Sequence, residues 1–214
     1  MNYIFGSSGF AKEVDWLINE ISQYSLNETN VYSFVSQDNI GDKINKKDVI
    51  DENTFRNHID RYSEIKAYIG IGNPLVKEKI VNKFKEISKI KYPNLIHPSA
   101  LYDQRSEKIK MGVGNILCAG TILTTDITIG HYVHLNLGVT VGHDTIIGDY
   151  TTVSPGVHIS GKVIIGKNIF IGTGAVILEN LNICDNVIIG AGAVVARNIE
   201  EPGTYIGIPA KKKT

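Results

Sequence analysis

A histidine followed directly by an aspartate, His143–Asp144, lies in the stretch VTVGHDTIIGDY among valine, isoleucine, threonine and glycine residues. Imidazole titrates near neutral pH and can accept a proton during catalysis, and an adjacent carboxylate can fix its tautomer and stabilise the imidazolium. A histidine here can also be a buried structural residue, a metal ligand, or a surface residue beside a chance aspartate. Which of these roles His143 has depends on the structural elements that position its side chain.

The chain around His143 is periodic. Residues 111–200 divide into 15 consecutive hexads, each of which opens with Met, Leu, Ile or Val, and seven of which have glycine second. This period predicts a solenoid of short parallel strands in which one large aliphatic residue per hexad points inward. We expect the second-position glycines to let the chain turn its corners. Three hexads then make one triangular coil, and 15 hexads make five coils.

A coil of 18 residues places residues 18 apart directly above one another, at a spacing of about 4.8 Å. Gly161 therefore stacks one coil above His143. Histidines at 131, 134, 143 and 158 are possible zinc ligands, because neutral imidazoles bind zinc well. No two of these histidines are separated by one full coil, so none of them stack within a single chain. Only a subunit interface could bring them together, so the register disfavours a metal site.

Residues before about 92 follow a different pattern, in which apolar runs alternate with helical periodicity. The pattern predicts strands at 2–5, 31–35 and 66–72, and helices at 10–21, 53–62 and 74–87. Such alternation is typical of a small parallel α/β domain. The turn GSSG follows the first strand and opens the first helix, where backbone N–H groups attract phosphate. The full GxGxxG dinucleotide fingerprint is absent.

The composition excludes several classes of protein. The 214 residues include 22 Lys and Arg and 22 Asp and Glu, and a net charge of zero disfavours nucleic acid or an anionic membrane as the main partner. The two cysteines, Cys118 and Cys184, lack any metal-binding spacing, which favours a reducing compartment. We find no transmembrane stretch and no signal-peptide pattern, and therefore expect a cytoplasmic protein.

Several motifs together resemble one bacterial family: the GSSG turn, the segments IGIGN and LIHPSA, hexads that contain His-Asp, and the ending GIPAK. The combination resembles the hexapeptide-repeat sialic-acid O-acetyltransferases and the nucleotide-amino-sugar N-acetyltransferases of the bacillosamine, viosamine and perosamine pathways. The resemblance implies a left-handed parallel β-helix and a homotrimer with its sites between subunits. It divides the chain into a Rossmann-like α/β nucleotide-sugar-binding domain, 1–92, and a β-helical acetyl-CoA-binding domain with a C-terminal tail, 93–214.

The resemblance also implies roles for individual residues. His143 and Asp144 match the family's general base and its acidic neighbour, and Gly161 matches a position whose backbone N–H holds the thioester carbonyl. The implied acceptor-binding residues are Ser7, Ser8, Gly9, Ser36, Asn73 and Asn136. The implied acetyl-CoA-binding residues are Gly161, Thr173, Ala191 and Lys211. Ordinary structural roles stay open, namely a corner glycine for Gly161, a stacked-turn asparagine for Asn136, and a solvated tail for Lys212 and Lys213.

Three positions depart from the family's pattern. Phe10 follows GSSG where the family often has histidine, and Thr152 stands nine residues after His143 where some members have a second histidine. The stretch SFVSQD replaces the paired aspartates that face the pyrimidine base, so that Ser36 stands nearest to their place and Asp38 is displaced. These departures leave coenzyme use intact and leave the acceptor less defined.

The sequence thus predicts an acetyl-CoA-dependent N-acetyltransferase that acts on the amine of a nucleotide-linked 4-amino-6-deoxy sugar, with no metal and no covalent enzyme intermediate. His143 would be the base, Asp144 would orient it, and Gly161 would hold the carbonyl. Two alternatives stay open. One is O-acetylation of a sugar hydroxyl, including sialic-acid-like acceptors, because the base would be the same. The other is a non-catalytic or metal-binding hexapeptide-repeat trimer.

Overall fold

The structure is a computed structural model that describes residues 1–24, 32–105 and 107–213. Val31, which the sequence assigned to the second strand, lies outside the described residues. The chain forms two compact units, one of residues 1–72 and 76–95 and the other of residues 73–75 and 96–214. Within the described ranges, every helix is too short or too polar to cross a lipid bilayer.

The first unit is a six-stranded sheet with three helices. Its elements are β1 Asn2–Phe5, α1 Gly9–Tyr24, β2 Tyr32–Val35, β3 Lys43–Ile44, β4 Lys47–Ile50, α2 Glu52–Ile59, β5 Ile65–Ile69, α3 Pro74–Phe84 and β6 Ile90–Lys91. The strand order is β3-β4-β2-β1-β5-β6, and all neighbours are parallel except β3 and β4. The predicted α/β class is confirmed, and parallel pairing brings the carboxyl ends of β1, β2 and β5 to one edge.

The sequence does not predict the short antiparallel pair β3–β4. Only Ile44 and Val49 of this hairpin are buried, so its hydrophobic pattern is minimal. The buried carboxylate of Asp15, on α1, accepts hydrogen bonds from Asn45 Nδ2 and Lys47 Nζ, both at 2.6 Å. The hairpin is therefore positioned by tertiary polar contacts, which no local sequence pattern reveals.

The chain from Leu95 onward consists of very short strands. They are β7 Leu95–Ile96, β8 Leu101–Tyr102, β9 Ile109–Met111, β10 Ile116–Leu117, β11 Ile122–Leu123, β12 Ile127–Ile129, β13 His134–Leu135, β14 Thr140–Val141, β15 Ile146–Ile147, β16 Thr152–Val153, β17 His158–Ile159, β18 Ile164–Ile165, β19 Phe170–Ile171, β20 Val176–Ile177, β21 Asn182–Ile183, β22 Val187–Ile189, β23 Val194–Val195, β24 Gly203–Ile206 and β25 Lys211–Lys212.

These strands form three sheets, which are the three faces of a parallel β-helix. The first face contains β7, β10, β13, β16, β19, β22, β24 and β25, the second β8, β11, β14, β17, β20 and β23, and the third β9, β12, β15, β18 and β21. Thr140 pairs with His158 and Ile146 pairs with Ile164, and each partner is the equivalent residue three hexads further along the chain. The register that the hexads predicted is confirmed. We call the turns between faces the first–second, second–third and third–first corners.

Most hexads bury two residues in the interior, at the first and fifth positions, rather than the one that we expected. The first position is buried, as at Val141, and so is the fifth, as at Thr145, whose side chain is fully enclosed. The Thr145 hydroxyl donates a hydrogen bond to the carbonyl oxygen of Ser160, in the next coil, at 3.2 Å. The fifth position is small or β-branched because it fills the narrow space at a corner.

The fourth hexad position turns the corner, so our assignment of that task to the second-position glycines was wrong. The φ angle at the fourth position is left-handed, for example +57° at Asp144 and +66° at Gly156. Gly142, a second-position glycine, does not have a left-handed φ, but a Cβ added there would lie 2.6 Å from the backbone nitrogen of Gly161. The second position needs glycine because neighbouring coils approach closely there.

The ends of the β-helix differ from the prediction. A coil of β7, β8 and β9 precedes most of the hexads, and its pairing of Leu101 with Ile122 departs from the hexad register because the chain carries an insertion between β8 and β9. Near the other end, Ile199 bridges to Ile183, which is less than one full coil away along the chain. The last corner is thus shorter than the others, and the β-helix extends beyond the five coils that we predicted.

Candidate active site

The second–third corner between β14 and β15 carries His143 and Asp144. The backbone leaves the second face at Val141 and bends through the left-handed φ of Asp144, which brings the two side chains together. His143 Nδ1 lies 2.7 Å from Asp144 Oδ2. Both side chains are about half exposed, at 56% and 53%. His143 is therefore an accessible corner residue and not a buried structural histidine.

The hydrogen bond fixes where the imidazole proton lies. A carboxylate only accepts hydrogen bonds, so the proton of neutral His143 is assigned to Nδ1. The lone pair then lies on Nε2, on the far side of the ring. His143 is held in the tautomer that accepts a proton through Nε2.

Gly161 lies against the His143 imidazole, as the register predicted. A Cβ added to Gly161 would stand 2.6 Å from His143 Nε2 and 2.8 Å from Cε1. Among the described residues nothing accepts a hydrogen bond from the Gly161 N–H, whereas the equivalent N–H of Lys167, at the next corner, donates to Asp185 Oδ1 at 2.9 Å. Glycine at 161 thus leaves room for the ring and keeps a backbone donor available beside Nε2.

Three other predicted residues lie at a different corner. Asn136, Thr173 and Ala191 belong to the first–second corner, one face away from His143. Thr173 and Ala191 stack as expected, since the Gly192 N–H donates to the Thr173 carbonyl at 2.8 Å. The fourth position at this corner is always glycine, so that this position carries no side chain, at residues 120, 138, 156, 174 and 192.

Asn136 caps a turn. Its side chain is almost fully buried, and its Oδ1 accepts the Leu137 N–H at 2.9 Å. This geometry shows that Asn136 makes the hydrogen bond of a stacked turn through Oδ1, and its contact with an acceptor stays a prediction.

The lysine tail forms a short strand, and its lysines stay exposed to solvent. β25 pairs antiparallel with β24, and Lys212 Nζ donates to Glu201 Oε2 at 2.8 Å. That hydrogen bond raises the pKa of Lys212. The Lys213 N–H donates to the Thr204 carbonyl at 2.7 Å. Lys211 has no side-chain partner in the part of the chain that the structure describes, which leaves it available for a phosphate.

A cavity of about 340 Å³ lies within the first unit, at the carboxyl edge of its sheet. Ser7, Ser8 and Ser36 line it, and Ser7 Oγ lies 2.9 Å from Ser36 Oγ, so these predicted residues are brought together. Gly9 starts α1 directly after them. Asn73 is in the loop before α3, belongs to the second unit, and does not line the cavity.

Other lining residues of this cavity did not follow from the sequence. They are Glu52, at the start of α2, and Lys79 and Lys83, on α3, while Gln37 and Asp38 line the cavity from the loop after β2. Lys79 and Lys83 are four residues apart on one helix and so face the same side. That spacing was the available signal, but nothing in the sequence shows that this side of α3 faces the cavity.

The four histidines of the β-helix do not converge. His131 lies at the third–first corner, His134 is buried on the first face, and His158 lies on the second face, where its Nδ1 is 2.8 Å from Thr140 Oγ1. Across the described ranges, no group of three or more His, Cys, Asp or Glu side chains is arranged to hold a metal ion. The geometry that is present suits proton transfer at His143.

Comparison with known proteins identifies both parts of the chain. Residues 3–84 match the PglD N-terminal domain, and residues 162–197 match the bacterial transferase hexapeptide (six repeats). No curated protein matches the chain by sequence.

Three solved structures resemble the whole chain. WeeI from Acinetobacter baumannii AYE is 29% identical with a TM-score of 0.88, over 100% of this chain and 99% of WeeI. PerB from Caulobacter crescentus, in complex with CoA and GDP-perosamine, is 26% identical with a TM-score of 0.88, over 100% and 97%. The acetyltransferase domain of PglB from Neisseria gonorrhoeae FA1090, in complex with acetyl coenzyme A, is 26% identical with a TM-score of 0.87, over 99% and 98%.

Both domain matches occur in the order that the motifs indicated, and the structural likeness extends over both units. The parallel β-helix is accordingly of the left-handed kind, as the resemblance implied. The chain therefore combines a PglD N-terminal domain with bacterial transferase hexapeptide repeats, and over its whole length it resembles bacterial sugar acetyltransferases of known structure.

Proposed function

We propose that the protein transfers the acetyl group of acetyl-CoA to the amine of a nucleotide-linked 4-amino-6-deoxy sugar. The observation that carries this proposal is the second–third corner, where Asp144 holds His143 at 2.7 Å and Gly161 faces the imidazole. PerB, bound to CoA and GDP-perosamine, supports both the co-substrate and the class of acceptor. The PglB domain bound to acetyl coenzyme A supports the same donor.

The corner contains the groups that direct acyl transfer needs. His143 Nε2 takes a proton from the neutral amine as its nitrogen attacks the thioester carbonyl, and Asp144 stabilises the imidazolium that forms. The Gly161 N–H donates to the carbonyl oxygen as that oxygen becomes negative. The C–N bond is complete when the C–S bond breaks, and the imidazolium returns its proton to the departing thiolate of CoA. No metal and no acyl-enzyme is required.

The cavity of the first unit suits the nucleotide. Backbone N–H groups at the start of α1, after Ser7 and Ser8 and at Gly9, form the kind of helix terminus that attracts phosphate. A Cβ added to Gly9 would meet nothing within 4 Å, so the backbone there is open to a ligand. Ser36, linked to Ser7, borders the region that we assign to the base.

We further propose that the active form is a homotrimer whose sites use two chains. His143, Asp144 and Gly161 occupy the second–third corner, whereas Thr173 and Ala191 occupy the first–second corner, and the second face separates these corners within one chain. A second copy can place its first–second corner, where Thr173 and Ala191 lie, against the second–third corner of the first copy, where His143 lies. The small residues then leave a slot for the pantetheine arm, and Lys211 of that copy reaches the coenzyme phosphate.

The acceptor is tested by thiol release from acetyl-CoA in the presence of UDP-, dTDP- and GDP-linked 4-amino-6-deoxy sugars. We expect turnover of at least one, with a product that gains one acetyl group and resists hydroxylamine, because amides survive a treatment that cleaves acetyl esters. A hydroxylamine-labile product, or turnover only of a free nine-carbon sugar acid, would establish O-acetylation instead.

The shared site is tested by mixing two inactive variants. His143→Ala removes the base, and Ala191→Trp fills the slot at the other corner. When the two variants are co-expressed, mixed trimers contain some sites with both corners intact, so part of the activity returns. Activity that stays absent in mixed trimers of verified composition would argue against a site shared between subunits.

A further inference from the structure

We propose that Lys79 binds the diphosphate of the nucleotide sugar from α3, and that Glu52 sets the charge of this site by neutralising Lys83 within the cavity lining. This inference deepens the proposed function and rests on it. It assigns Lys79 as a substrate-binding residue and Glu52 as a positioning residue.

The cavity has an apolar floor and two polar rims. Side chains such as Phe5, Val35 and Phe84 form the floor, which suits a planar base or a ribose. One rim comes from the loops after β1 and β2, and the other from Glu52, Lys79 and Lys83 of α2 and α3. A ligand in this cavity is therefore enclosed between the start of α1 and the basic side of α3.

The two lysines differ in what holds them. Lys83 Nζ forms a close ion pair with Glu52 Oε2. Glu52 also accepts a hydrogen bond from Arg56 Nε at 3.0 Å, and the Arg56 guanidinium lies 4.9 Å from the centre of the Phe84 ring. Lys79 has no ion-pair or hydrogen-bond partner among the residues that the structure describes. Of the two cations on this rim, only Lys79 keeps its charge free for a ligand.

The ionisation of Glu52 supports this division. Partial burial acts to raise its pKa, but the hydrogen bonds from Lys83 and Arg56 outweigh it and the pKa of Glu52 is lowered. Glu52 is thus a carboxylate at neutral pH and neutralises Lys83 as long as the pair is intact.

The rim from the loops after β1 and β2 offers hydroxyl and amide donors and the carboxylate of Asp38, but its lining residues include no cation. Ser7 Oγ is engaged with Ser36 Oγ at 2.9 Å and with Asn39 Nδ2 at 3.3 Å, and Ser36 Oγ accepts the Asp38 N–H at 3.1 Å. Backbone N–H groups at the start of α1 remain, and these carry only partial charge. A diphosphate carries about two full negative charges, so a full cation across the cavity is the complementary group.

Binding of GDP, UDP, dTDP and the corresponding nucleosides, measured by calorimetry on the full chain, tests the assignment. We expect Lys79→Gln to weaken binding of the preferred nucleoside diphosphate about threefold to tenfold and to leave nucleoside binding unchanged. Glu52→Gln should release Lys83 and tighten diphosphate binding about twofold to fivefold. Both changes should shrink as salt is raised, because the interaction is between charges.

Lys85→Gln is the matched control, because it removes the same charge just beyond α3 from a residue that does not line the cavity. Equal diphosphate binding by Lys79→Gln and Lys85→Gln would overturn the assignment of Lys79. Weaker binding by Glu52→Gln, in a variant whose melting temperature and acetyl-CoA binding are unchanged, would overturn the role of Glu52. A wild-type protein that binds acetyl-CoA but no nucleoside diphosphate would refute the nucleotide-sugar proposal itself.

Discussion

Two histidines occupy the same hexad position at two corners of the β-helix, in IGHYVH and VGHDTI. His131 Nδ1 accepts the Val113 N–H at 3.1 Å, and the His131 N–H donates to Asp149 Oδ1 at 2.7 Å. His131 therefore takes part in the hydrogen bonds that connect successive coils. The His143 ring instead bonds to the adjacent Asp144 through Nδ1, and its Nε2 takes no part in the hydrogen bonds between coils.

Two neighbours account for the difference. The residue after each histidine has a left-handed φ, of +56° at Tyr132 and +57° at Asp144. Tyr132 stacks on Tyr150 with ring centroids 5.4 Å apart, whereas Asp144 turns back to its histidine. One coil above, Asp149 covers the backbone of His131, and Gly161 leaves the ring of His143 open. The same backbone conformation therefore makes a structural corner at His131 and the corner that we propose to be catalytic at His143.

Replacing each histidine is the strongest way to break this comparison. His143→Ala should lower kcat/KM about a thousandfold, because it removes the proton acceptor, and should barely change the melting temperature of an exposed corner. His131→Ala should keep the activity and destabilise the protein by about 1 kcal/mol, because the Val113 N–H loses its acceptor. Both variants are measured by steady-state kinetics and thermal unfolding. A near-normal kcat/KM in His143→Ala would contradict the assignment of His143 as the proton acceptor.

Asp144→Asn tests whether the carboxylate sets the tautomer. Asparagine tolerates the left-handed φ at this position, so the corner should keep its shape. The side-chain amide of the introduced asparagine can donate a hydrogen bond to His143 Nδ1, and the imidazole proton would then lie on Nε2. Nε2 would have no lone pair left to accept a proton from the amine of the acceptor. We expect kcat/KM to fall about a hundredfold with little change in KM for acetyl-CoA. A variant with wild-type kcat would mean that the tautomer does not depend on Asp144.

Two glycines in contact with each other separate catalysis from folding. The three atoms nearest to a Cβ at Gly161 all belong to the His143 ring, so Gly161→Ala should displace the base and lower kcat/KM about tenfold to a hundredfold with the fold intact. A Cβ at Gly142 would press on the backbone of Ser160 and Gly161, so Gly142→Ala should destabilise the protein by about 1–3 kcal/mol. If unfolding curves show the larger loss in Gly161→Ala, the assignment of these two glycines is reversed.

The sequence predicted the geometry of the candidate site better than that of its surroundings. An unbroken hexad period sets the register of three hexads per coil, so the stacking of Gly161 on His143 followed from counting alone. The role of Asn136 did not follow, because an asparagine that caps a turn and one that contacts a ligand share the same pattern. The cavity wall at Lys79 depends on how α3 packs on the sheet, and such tertiary contacts leave no local period in the sequence.

The smallest expected effect concerns Asp149, at the structural corner. Asp149→Ala should destabilise the protein by about 1 kcal/mol, which is a fall of about 2–4 °C in melting temperature for a chain of this size, because the His131 N–H loses its acceptor. Asp149→Asn keeps an acceptor oxygen and should lose less. Asp185→Ala, which frees the Lys167 N–H at the same corner, should behave like Asp149→Ala. All three should retain wild-type kcat/KM, and a catalytic loss confined to Asp149→Ala would mean that the structural corner also takes part in the reaction.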